Sequence, residues 1–76
     1  MTLGTWIKVN YGSHQQLNDS LGLGKNTIGR WYNNDPKRFF MYLPKMSRDS
    51  QTQPVELLAM IEGRVEDVKA LRGKHG

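Results

Sequence analysis

Residues 21–34 read LGLGKNTIGRWYNN, and two readings compete for them: a loose glycine-rich loop, or two short helices joined by a tight turn. The flanking residues favour the helices. Upstream, Ser13-His14-Gln15-Gln16 has the S-x-x-Q form of a capping box. Leu17 and Leu21 are four apart and share one face, and Gly22 stands where a left-handed stop residue belongs. Downstream, Gly24 is placed to cap a third helix running from Lys25 to about Asn33, with Ile28 and Trp31 pointing inward together. Asn33-Asn34-Asp35-Pro36 ends that helix, because the residue before a proline avoids helical angles. The stretch therefore predicts helix, turn, helix.

Working outward, Thr2 is a cap for a first helix whose apolar face is Leu3, Trp6, Ile7 and Val9, with Tyr11-Gly12 as its end. Residues 38–43, RFFMYL, are rich in strand-favouring side chains and read as extended. Pro44 opens a fourth helix with Met46 inward, and Pro54 opens a fifth with Glu56 in its first turn. The expected fold class is mainly α: a compact domain of four to five helices, with room for one short strand near 38–43.

Composition narrows the function. A chain of 76 residues holds one domain near the lower limit of core size, and with no cysteine it has neither a disulfide nor a thiolate metal site to support it. His14 and His75 are isolated, so no metal is expected. No apolar stretch approaches a bilayer span, and no basic-then-apolar leader opens the chain, so it reads as soluble and cytoplasmic with no membrane partner. The net charge is +4, and all of the excess falls in residues 1–53, where seven Lys or Arg face three Asp. Residues 54–76 are balanced, with four of each sign. This asymmetry suggests a basic body for a polyanion, residues 1–53, and a C-terminal helix with another task, residues 54–76. Simple solubility is the plain alternative.

LNDSLGLGKNTIGRW resembles the helix-turn-helix of phage Cro and repressor-type transcriptional regulators. Leu17, Leu21, Gly22, Leu23, Ile28 and Trp31 stand at that family's spacing, and the resemblance covers roughly residues 3–36. Two residues depart from it. Asn18 stands where the family has alanine, at the tight crossing of the two helices, and must find a partner. Gly29 lies inside the third helix and costs it about 1 kcal/mol against alanine. The segment LPKMSRDSQTQPVELL resembles the last two helices of the all-helical members, which favours helices over a sheet after the motif.

The resemblance implies a second motif helix that enters the major groove of double-stranded DNA. With the apolar residues inward, Lys25, Asn26 and Arg30 would contact bases: Arg30 two-pronged on guanine, Asn26 on adenine, Lys25 on guanine or phosphate. Gly29 would let the backbone come close. Phosphate contacts are expected from Ser13, His14 and Gln15 at a helix N-terminus, from Thr27, and from Asn33, Lys37 and Arg38 beyond the third helix. A merely solvated helix face is the plain alternative.

In the tail, Leu58, Ile61, Val65 and Val68 recur at heptad-like steps and suggest a homodimer seam, with Lys69, Arg72, Lys74, His75 and Gly76 as a frayed end. A long helix packed on its own domain is the other reading. The carboxylates follow no catalytic pattern, and no phosphate loop or nucleophile elbow occurs, so neither an enzyme nor a cofactor or small-molecule ligand is expected. The expected function is a sequence-specific regulator of phage or prophage type, bound as a dimer to a palindromic operator. The alternative is a protein-binding module, such as a phage antirepressor or host-factor inhibitor, on the same scaffold.

Overall fold

The structure, a computed structural model, describes residues 1–73. Five α-helices follow in order: α1 Leu3–Tyr11, α2 His14–Ser20, α3 Thr27–Asn34, α4 Leu43–Ser50 and α5 Pro54–Gly73, with a 3₁₀ helix, Pro36–Tyr42, between α3 and α4. The protein is mainly α, and no strand occurs among the described residues. None of these helices is long and apolar enough to cross a membrane.

One core joins all of them. Leu3, Trp6 and Ile7 of α1 meet Leu17 of α2, Ile28 of α3, Phe39, Met46 of α4, and Leu57, Ile61 and Val65 of α5. Val9, expected on the inner face of α1, is 67% exposed, because it falls off the stripe that Leu3, Trp6 and Ile7 define. Thr2 caps α1 as expected, its hydroxyl accepting from the Thr5 N–H at 3.2 Å.

The segment 38–43 is not a strand. Residues three apart eclipse in a 3₁₀ helix, so Phe39 and Tyr42 both reach Trp31. Phe39 meets it edge-on and Tyr42 stacks on it, each with ring centroids 5.8 Å apart. An extended chain would alternate its side chains and could not place both rings there.

The charge boundary at residue 53 is not a break in packing, since α5 supplies three side chains to the common core. Its buried stripe is Leu57, Ile61, Val65 and Val68. The expected seam is thereby corrected: Leu58 is 39% exposed, while Ile61, Val65 and Val68 are turned onto the protein's own body. Of the expected frayed end, Lys69 and Arg72 belong to α5, and residues 74–76 lie outside the described residues.

Candidate nucleic-acid interface

Ser13 opens α2, its hydroxyl accepting from the Gln16 N–H at 3.1 Å and donating to Gln16 Oε1 at 3.4 Å. The preceding Gly12 has φ +95°, a backbone conformation that L side chains rarely adopt, so the entry to α2 favours glycine.

At the other end Gly22 adopts φ +66°. The Leu23 N–H reaches the Asn18 carbonyl at 3.0 Å and the Gly22 N–H reaches the Asp19 carbonyl at 3.1 Å. This is the double bond pattern of a Schellman stop, and it turns the chain sharply toward α3.

The start of α3 corrects the sequence reading. The helix begins at Thr27, and Lys25 and Asn26 lie in the turn before it. Asn26 adopts φ +66°, a left-handed conformation that asparagine tolerates better than most residues. In that pose it makes no side-chain cap bond. Asn18 does the capping instead. Its Oδ1 accepts the Ile28 N–H at 2.9 Å, and its Nδ2 donates to the Leu23 carbonyl at 3.1 Å and the Gly24 carbonyl at 2.6 Å. At 1% exposure it is a buried amide with both ends satisfied.

The N-terminal ends of α2 and α3 thus open on one cleft of about 310 Å³, lined by Ser13, His14, Gln15, Asn18, Asn26 and Gly29. The first-turn N–H groups of Gln16, Thr27 and Ile28 are already bonded to Ser13, Gly24 and Asn18, so the positive ends of the two helix dipoles, rather than those donors, are what favour an anionic oxygen here. Thr27 does not line the cleft, and its hydroxyl donates to the Gly24 carbonyl at 2.6 Å.

The remaining expected contacts are distributed unevenly. Arg30 is exposed on α3, one turn after Asn26, and Asn33 is exposed one turn further on. Among the described residues neither Lys25 nor Arg30 forms an ion pair, so both charges are available. Gln15 is less free, since its amide donates to Asp19 at 2.9 Å. His14 is half-buried and its ring lies 5.0 Å from that of Tyr32. Arg38 pairs with Asp35 at 3.0 Å. Lys37 lines a separate groove with Phe40, Glu62 and Glu66, so the structure does not bring it to the cleft.

Two residues of this region escaped the sequence reading. Arg64 and Arg72 of α5 hold the C-terminal end of α3, donating to the carbonyls of Tyr32 and Asn34. Cations at a helix C-terminus are favourable, but no local pattern links residues so far apart in the chain. No protein-family model, curated protein or solved structure matches the chain.

Proposed function

We propose that the protein is a sequence-specific regulator that binds double-stranded DNA through a helix-turn-helix of the phage Cro and repressor type. The observation that carries this reading is the shared cleft at the N-terminal ends of α2 and α3, with Lys25 and Arg30, adjacent in sequence to its lining residues Asn26 and Gly29, forming no ion pair among the described residues. In this reading the α2 end holds a phosphate and the exposed side of α3 faces base edges. Arg30 is the principal base contact. Lys25 and Asn26 act from the turn, Thr27 and Asn33 flank them, and Ser13, His14 and Gln15 meet the backbone.

One such unit spans few base pairs, so the regulator works as a homodimer on a palindrome. It occupies an operator and excludes polymerase, in the cytoplasm of a bacterium or a phage-infected host. The dimer contact lies outside the buried stripe of α5, where Val55 and Leu58 remain exposed.

The test is selection of sites from random duplex DNA by the purified protein, followed by a salt titration. An enriched inverted repeat with half-sites about one helical turn apart is expected. Enrichment of nothing, with weak binding that vanishes as salt rises, would leave charge attraction alone and point to a protein partner.

A further inference from the structure

We infer that Asn18 is the positioning residue that gives this DNA reader its specificity, an inference that rests on the function proposed above. A small apolar side chain would fill the helix crossing without burying a polar group. Asn18 buries one and satisfies it three ways, with bonds of 2.9, 3.1 and 2.6 Å to Ile28, Leu23 and Gly24.

Those three partners belong to different parts of the reader. Leu23 and Gly24 form the turn, and Ile28 lies in the first turn of α3. The bonds therefore fix both the shape of the turn and the rotation of α3 against α2. The cap residue of α3 cannot do this, since Asn26 makes no side-chain cap bond. The Thr27 hydroxyl is also engaged in the turn, donating to the Gly24 carbonyl at 2.6 Å.

Base-edge contacts tolerate displacements of only about 0.5 Å. Lys25, Asn26 and Arg30 all ride on the segment that Asn18 holds. The phosphate contacts of Ser13, His14 and Gln15 sit on α2 and do not depend on that register. Loss of the Asn18 amide thus separates the two kinds of binding: specific recognition falls while backbone attraction stays.

The test uses the full chain in a Gly63→Ala background, because a Cβ at Gly63 meets nothing within 4 Å and alanine strengthens α5. Asn18→Ala removes all three bonds. Asn18→Ser leaves a single neutral hydroxyl in place of the amide's three bonds, and it carries the test if the alanine variant loses its helical circular dichroism. Each is titrated against the selected duplex and a scrambled one over a range of salt.

The expected result is a fall of about tenfold or more in preference for the selected duplex. Scrambled-duplex affinity and its salt slope stay within about twofold of the parent. Asn18→Ser falls between parent and alanine. Unchanged preference in both variants overturns the inference, and so does an equal loss on both duplexes, the mark of a purely structural role. Absence of any preference in the unsubstituted protein overturns the DNA reading itself, and is recognised without the variants.

Discussion

The Arg64 guanidinium lies 3.8 Å from the centre of the Tyr32 ring, and its Nε donates to the Tyr32 carbonyl at 2.8 Å. One side chain of α5 thus holds both the ring and the backbone at the C-terminal end of α3. Arg64→Ala removes a charge-assisted hydrogen bond and a cation–π contact, and the expected loss is about 2 kcal/mol in urea unfolding. Arg64→Lys keeps the charge but not the planar donor, and recovers less than half of it. A loss below about 0.5 kcal/mol for the alanine variant would show that the contact does not brace α3.

Two glycines in helices separate stability from binding. A Cβ at Gly63 meets nothing, and one at Gly29 lies 3.9 Å from His14 Nδ1, an ordinary contact. Both alanine variants therefore stabilise the fold, by up to about 1 kcal/mol each. Gly29 lines the cleft, so Gly29→Ala is expected to weaken DNA binding while Gly63→Ala leaves it unchanged. Thermal melts and duplex titrations of the same two samples check both halves.

Tyr11 carries a hydroxyl sealed from solvent with no hydrogen-bond partner among the described residues. Burial, and secondarily the Asp49 carboxylate, raise its phenol above the ordinary value of 10.0. The folded state therefore holds the proton more tightly than the unfolded chain. The stability linked to this group is present in full below pH 10.0 and is lost as pH rises through the raised value. Tyr11→Phe keeps the edge contact with Trp6, whose centroid lies 5.6 Å away, and is expected to gain about 1 kcal/mol at neutral pH. Its alkaline loss of stability should also be shallower than that of the parent, in denaturant titrations between pH 8 and 11 (a range of about three units spanning the transition).

The buried stripe of α5 gives a further check. Ile61 is fully buried within its own chain, so Ile61→Ala should cost about 2–5 kcal/mol. The cost should be the same in dilute and concentrated protein. A cost that grows with protein concentration would mean that Ile61 packs across a subunit boundary.

Helix ends and turns were legible in the sequence because their signals are local. Thr2, Ser13 and Gly22 each act within a few residues of themselves, and the structure finds all three in their expected roles. Segment 38–43 was misread because its composition favours a strand, while its conformation is set by Trp31, which a local window does not contain. The seam was misassigned for a related reason. Leu58 gives the heptad steps of three, four and three, whereas Leu57 stands four before Ile61 on a plain helical face, and only the body beneath α5 selects Leu57. At the candidate site, the basic side chains and the α2 cap could be read from spacing. The late start of α3 could not, since it follows from a bond between Asn18 and Ile28 that links two helices. The brace from Arg64 and Arg72 was hidden in the same way, by sequence distance.

Arg30 stands exposed on α3 and forms no ion pair among the described residues, so its removal leaves the core untouched. The most direct measurement of the proposed function is the affinity of the unsubstituted protein and of Arg30→Ala for the selected duplex and for a scrambled one, at matched salt. A base-reading Arg30 predicts a loss of about 1–3 kcal/mol on the selected duplex and a much smaller loss on the scrambled one. Equal, small losses on both would contradict it, and would make Arg30 a source of charge rather than a reader of sequence.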